Sequence, residues 1–173
     1  MDAGLIGRFA AIVGPRHALT DPAETEPFAT ERRGLWPGAT PLVLRPGSVS
    51  EVAAILRLAS ETATPIVPQG GNTGLVGGQV PDAGGREVVL SLSRLNAIRE
   101  IDVSSNTVIA EAGVTLHALR EAADAAGRLF PLSLASQGTA QIGGNLSSNA
   151  GGTGVLAYGN ARELCLGVEV VLP

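Results

Sequence analysis

No lysine occurs in the chain; all 12 basic residues are arginine. That excludes a P-loop lysine and a Schiff-base lysine. A single cysteine, Cys165, excludes an internal disulfide. It lies in the apolar run ELCLGVEVVLP and reads as a small buried hydrophobe. The two histidines, His17 and His117, are isolated, so neither a metal-ligand cluster nor a Ser-His-Asp constellation can be assembled. No metal site is expected, and no catalytic residue can be named. The carboxylates Asp102, Glu111 and Glu163 read as solvated or structural. No apolar run reaches about 18 residues, and the start, MDAGLIGR, lacks the basic region and apolar stretch of a signal peptide. No integral membrane segment and a cytoplasmic location are the resulting expectations. Charge is sparse at 16% of residues and nets −4, which gives no support for nucleic-acid or membrane-surface binding.

The scarcity of charge is concentrated. Residues 62–81, TATPIVPQGGNTGLVGGQVP, and 129–161, LFPLSLASQGTAQIGGNLSSNAGGTGVLAYGNA, contain no charged side chain. An average chain carries a charge at about every fourth residue. Both stretches are dense in Gly, Asn, Ser and Thr, the residues that wrap a phosphate-bearing cofactor with backbone N–H groups and short neutral donors. A plain surface hairpin needs one or two glycines, whereas residues 70–78 hold five. In the second stretch Gly143 and Gly144 are expected to open a short helix with its N–H groups facing a ligand. Ser147, Ser148 and Asn149 would add donors along one side. A flexible linker would lack anchors such as Ile142, Leu146 and Val155. Other phosphate motifs fail. The match of residues 152–157 to G-x-G-x-x-A follows a polar loop and not a strand, so the dinucleotide fingerprint is rejected.

At 173 residues the chain fits one domain or two small lobes with a real core. Residues 4–13 form a short amphipathic helix, and Pro15 to Pro41 reads as an extended arm. A strand at 41–46 is followed by a capping box, Ser48 with Glu51, that opens a helix burying Val52, Ile55, Leu56 and Ala59. Strands at Pro65–Val67 and 87–92 flank the first glycine loop. Ile98–Asp102 and Thr107–Glu111 form a hairpin. Thr115 caps a helix stopped by Gly127. The second glycine loop follows, with a short helix near Ile142–Asn149. Leu164–Leu172 reads as a buried closing strand, and its position at the end of the chain suggests a fragment.

The segments PQGGNTGLVGGQVP, EVVLSLSRLNAI, EAGVTLHALREAADAAGRLFPLSLASQGTAQIGGNLSSNAGG and YGNARELCLGVEVVLP closely resemble the FAD-binding domain of flavin-linked D-2-hydroxyacid dehydrogenases. These belong to the vanillyl-alcohol oxidase and para-cresol methylhydroxylase superfamily. The nearest branches are D-2-hydroxyglutarate dehydrogenases, D-lactate dehydrogenases and the flavoprotein subunit of glycolate oxidase. The resemblance runs from about residue 35 to the end. It implies an α+β fold, a two-lobed FAD-binding domain of the para-cresol methylhydroxylase type, truncated before its last strands. The divisions are 1–34 (helix and arm), 35–97 (first lobe) and 98–173 (second lobe, incomplete), with the C-terminal cap domain absent.

The same resemblance implies FAD between the two lobes. Gly70, Gly71, Asn72, Thr73 and Gly74 would form the pyrophosphate loop, flanked by Gln69 and Leu75. Pro131, Gly138, Thr139, Ile142, Gly143, Gly144, Asn145, Ser148, Asn149, Gly151 and Gly152 would line the rest, with Tyr158 and Gly159 matching the family's Tyr-Gly pair. Relatives with covalent flavin carry a histidine where this chain has Asn72, so non-covalent FAD is implied. So is oxidation of a small D-2-hydroxyacid to the 2-oxoacid, with electrons passed to an unidentified acceptor. Substrate-binding and base residues would lie in the cap domain, and this chain alone is not expected to turn over. An oxidase of another alcohol or sugar acid, or a non-catalytic nucleotide-binding module, are the alternatives.

Overall fold

A computed structural model describes residues 1–173, which divide into two compact units, Met1–Arg94 with Val170–Pro173, and Leu95–Glu169. In the first unit, helix α1 (Ala3–Val13) is capped by the Asp2 carboxylate, which accepts from Leu5 N–H at 2.8 Å, and it buries Phe9 and Val13. A four-stranded sheet runs in the order β1 (Ala18–Leu19), β2 (Val43–Leu44), β4 (Val88–Ser91), β3 (Ile66–Gln69). Strands β2, β4 and β3 are mutually parallel, with Val43 opposite Val89 and Gln69 opposite Ser91, and β1 adds an antiparallel edge. Every residue of β2 and β4 is buried, the pattern of parallel strands covered on both faces.

Helix α3 (Val49–Glu61) joins β2 to β3 and packs on α1. Ser48 Oγ accepts from Glu51 N–H at 3.2 Å, while the Glu51 carboxylate reaches Gly47 N–H at 2.7 Å, one residue earlier than a strict capping box. Its buried face is Val52, Ile55, Leu58 and Ala59. Leu58 takes the place expected for Leu56, because the apolar stripe is centred on the fully buried Ile55 and Leu56 falls on its flank.

The segment from Pro15 to Pro41 is not a simple extended arm. It contains a 3₁₀ turn (Pro15–His17), β1 and helix α2 (Pro22–Ala29). Asp21 caps α2 by accepting from Ala23 N–H at 2.8 Å, and Pro22 occupies its first turn. Pro22 has φ preset and loses no helical hydrogen bond, whereas Pro27 lies inside the helix and removes one donor from its last turn.

The second unit opens with the antiparallel hairpin β5 (Ile98–Asp102) and β6 (Thr107–Ala110), with a bulge between Ile98 and Glu100. Helix α4 (Leu116–Ala125) is capped by Thr115 and ends at Gly127, whose φ of 67° is a left-handed stop. Short helices α5 (Ile142–Ser147) and α6 (Val155–Tyr158) and a 3₁₀ turn (Ala161–Leu164) follow. Leu116, Leu132 and Ala161 form the core here, with Phe130, Leu134, Ile142 and Leu146 packed against it.

The segment expected as a closing strand, Leu164–Leu172, is neither a strand nor buried. Leu166, Val168, Val170 and Leu172 are 63–87% exposed. Alternating apolar residues form a strand only when a neighbouring ladder takes up the backbone groups, and no strand pairs with this segment. Cys165, which shares it, is accordingly half-buried, with Sγ 3.3 Å from Gly167 O.

The hairpin turn depends on Asp102, whose carboxylate accepts from the hydroxyls and N–H groups of Ser104 and Ser105. These bonds, the Ser104 hydroxyl first, hold its pKa far below the ordinary 3.8. A folded-state value below the unfolded one contributes stability above pH 3.8 that is lost as the pH falls towards the folded value. Asp102→Asn should therefore lower the melting temperature at neutral pH, and its deficit should shrink in thermal scans below pH 3.8. A deficit that stays constant with pH would contradict this role.

Candidate functional site

Strand β3 delivers the chain into the first charge-free loop, where no backbone N–H from Gly70 through Gln79 has an acceptor within the chain. Unpaired N–H groups in succession are the donors of an anion nest. Asn72 at φ 51° and Gly77 at φ 80° curl the segment so that it is neither strand nor helix. Gly70, Gly71, Asn72 and Thr73 are half-buried, and Gly74 and Leu75 are exposed. The frame is supplied by side chains. Gln69, only 2% exposed, donates through Nε2 to Phe28 O at 2.8 Å and Gln79 O at 2.7 Å, which ties the two ends of the loop together. Asn72 Nδ2 donates to Thr30 O at 2.8 Å and Pro27 O at 3.2 Å. Both amide N–H groups are committed to the protein, and the unpaired donors of the loop are backbone N–H groups.

In the second charge-free stretch, Gly138 and Thr139 are exposed and lead into α5. Ile142 N–H donates to Val114 O at 2.9 Å, Gly143 N–H to Ala112 O at 2.8 Å and Asn145 N–H to Gln141 O at 2.9 Å. Gly144 N–H is the donor of that turn without a partner. Gly143 N–H is therefore occupied within the chain, and Gly144 N–H alone of the two is left without a partner. Gly143 is glycine for packing, since a Cβ there would lie 2.8 Å from Ala112 Cβ. The hydroxyls of Ser147 and Ser148 also differ from expectation, each donating at 2.8 Å to the carbonyl four residues back, Gly143 O and Gly144 O. Asn149 Oδ1 accepts from Arg162 N–H at 3.1 Å, and Gly152 presses against the Ser133 carbonyl so closely that no side chain fits. Pro131 and Ile142 are half-buried, Gly151 and Tyr158 exposed, and Gly159 turns the chain at φ 80°.

Two buried groups in this stretch lack partners, Asn145 Nδ2 and Gln141 Oε1, on residues only 5% and 8% exposed. Asn72 Oδ1 in the first loop is a third. Three of the five unpartnered buried side-chain atoms thus lie in the two charge-free stretches; Asn145 Nδ2 and the bare N–H groups suit phosphate and ring acceptors, whereas Asn72 Oδ1 and Gln141 Oε1 suit hydroxyl or ring N–H donors. The residues present thus fit FAD. Gln141 was missed in the sequence reading, although it stands immediately before Ile142-Gly143-Gly144 in the charge-free stretch.

Glu111, Glu163 and His117 bond within the chain. Glu111 accepts from Ala97 N–H at 2.9 Å and pairs with Arg99 at 3.0 Å. Glu163 closes a cap on Asn160, and His117 pairs with Glu121 at 3.2 Å along α4. No helix is long and apolar enough to cross a membrane.

Burying a polar group without a partner costs about 1–3 kcal/mol. Asn145→Leu, which keeps the branching of the side chain, should leave the melting temperature of the FAD-free chain unchanged or raised while weakening FAD binding. A lowered melting temperature with unchanged FAD affinity, read by thermal denaturation and equilibrium dialysis, would make Asn145 structural.

Residues 40–173 match the family described as FAD binding domain. The chain is 41% identical to D-2-hydroxyglutarate dehydrogenase of Xanthomonas citri pv. viticola over 152 residues, covering 88% of this chain and 32% of that protein. Among solved structures, alkyldihydroxyacetonephosphate synthase superposes with TM-score 0.84 at 21% identity, over 96% of this chain and 32% of the other. Substrate-bound p-cresol methylhydroxylase superposes with TM-score 0.67 at 20% identity, over 86% and 29%. The chain thus spans about a third of the length of the curated relatives it matches. On these matches it belongs to the FAD-binding domain family, has the para-cresol methylhydroxylase type of fold and takes FAD as its cofactor.

Proposed function

We propose that this chain is the FAD-binding part of an oxidoreductase that converts a D-2-hydroxyacid to the 2-oxoacid. The observation that carries the cofactor role is the run of unpaired N–H groups from Gly70 through Gln79. In this reading the first lobe, 35–97, offers Gly70, Gly71, Asn72, Thr73 and Gly74 to the pyrophosphate through backbone N–H groups. In the second lobe, 98–173, taken by itself, Gly138 N–H, Gly144 N–H, the Asn145 and Gln141 amides and the 151–152 backbone are left to meet a cofactor. Tyr158 and Gly159 close that stretch. When bound, FAD supplies the two-electron acceptor for the α-hydrogen of the hydroxyacid. The protein's part is to neutralise two phosphate charges without any charged side chain in either loop, which N–H dipoles in a partly dry site do well. By the resemblance of this loop to the family, Asn72 takes the place of the histidine of covalent relatives and offers no nucleophile, which supports non-covalent FAD.

The substrate class rests on the relatives. The Xanthomonas and cattle proteins, 41% and 40% identical, are both called D-2-hydroxyglutarate dehydrogenase. Reoxidation would fall to a separate electron acceptor. A cytoplasmic location belongs to the same proposal, although the cattle relative's name places that protein in mitochondria.

Incubated with FAD and desalted, the chain should stay yellow, and acid precipitation should release the flavin into the supernatant. A colourless chain would overturn the cofactor reading, and flavin retained in the precipitate would overturn non-covalent binding. For the substrate, the full-length protein should bleach anaerobically on addition of D-2-hydroxyglutarate, D-lactate or glycolate. No bleaching with any of the three would overturn the substrate class.

A further inference from the structure

Residues 27–36 precede the region matched by the family, which starts at residue 40. They nevertheless make the contacts that shape the first glycine loop. The carbonyls of Pro27 and Thr30 hold the Asn72 amide, and that of Phe28 holds Gln69. At the far side of the loop the Arg33 guanidinium donates to Leu75 O and lies 5.3 Å from the centre of the Trp36 ring. The ring in turn covers Gly77, where a Cβ would sit 2.8 Å from its carbon atoms.

Arg33 is itself held. Its N–H donates to the Glu31 carboxylate at 2.9 Å, and Nε lies 3.7 Å from the same group. The Glu31 side chain is fully buried and also accepts from Leu35 N–H at 2.6 Å. Burial pushes its pKa up, but the N–H bonds from Arg33 and Leu35 and the guanidinium outweigh this and hold it below the usual range. A buried carboxylate thus fixes a tight turn, the turn aims Arg33, and Arg33 pins the loop by a carbonyl bond and a stacked indole.

We propose that Arg33 is the positioning residue of the phosphate loop, acting through its planar fork on Leu75 and Trp36 to keep the Gly70–Gln79 donors in a binding shape. A lysine could supply charge but not the stacked plane together with bonds on two sides. That the shaped donors receive a phosphate rests on the FAD reading above; the clamp itself does not.

Trp36 is the chain's single tryptophan, so its emission reports on this clamp alone. It is 39% exposed, and release from the loop should raise its acrylamide quenching constant about twofold in the FAD-free chain. Arg33→Gln and Arg33→Lys should both show this rise, and both should weaken FAD binding in equilibrium dialysis by about tenfold, the scale of a lost charge-assisted hydrogen bond. Should either variant fail to fold by circular dichroism, Glu31→Gln, which loosens the turn that aims Arg33 and leaves every residue of the loop in place, should give the same two changes. Unchanged Trp36 quenching, or increased quenching with full FAD affinity, would overturn the proposal. So would Arg33→Lys keeping parental values in both measurements, because charge and not position would then be the property used. If the parent chain binds no FAD, the cofactor reading fails, and the quenching of Trp36 without flavin still decides the clamp.

Discussion

A run of backbone N–H groups that cannot pair within its own chain must be held open by something else. From Gly70 through Gln79 the loop makes neither helix nor ladder, so its shape comes from side chains at its edges. Gln69 draws the two ends together from beneath, and Asn72 fastens the middle to the carbonyls of Pro27 and Thr30. The parallel sheet beneath contributes position: β3 ends at the loop, and β4, pinned to it from Val88 to Ser91, carries the chain away. Open donors and a rigid frame are what an anion-binding loop requires, because the phosphate then meets oriented dipoles without reorganising them.

The second unit solves a related problem differently. Most N–H groups around α5 are satisfied internally, by Val114, Ala112 and Gln141, and the openness is narrowed to Gly144 and to two buried amides without partners. Several polar groups that look available from composition are occupied. Ser147 and Ser148 bond their own helix, and Asn149 holds Arg162. Glycines follow the same division, with Gly143 and Gly152 required by neighbouring protein atoms and Gly144 facing open space.

Local chemistry explains what could be read in advance. The caps at Ser48 and Thr115, the hairpin around Asn106 and the stop at Gly127 depend on a few adjacent residues, and all are present. Absence of charge located both loops. What depends on distant partners was illegible. Helix α2 was hidden by its prolines, and the bonds of the Gln69 and Asn72 amides were hidden because their carbonyl partners lie some 40 residues earlier, at separations of 41 to 45. Leu164–Leu172 has the alternation of a strand but finds no ladder. The burial of Gln141 depends on packing that its place in a polar, charge-free stretch does not reveal.

In the proposed function, unpaired backbone donors, and not charged side chains, receive the cofactor. Titrating the ¹⁵N-labelled chain with FAD and following amide resonances tests it directly. The amides of Gly70–Gln79 and Gly144 should move first and furthest, with saturation at one equivalent. Shifts that leave those amides in place and gather instead at arginine-rich surface positions would contradict it.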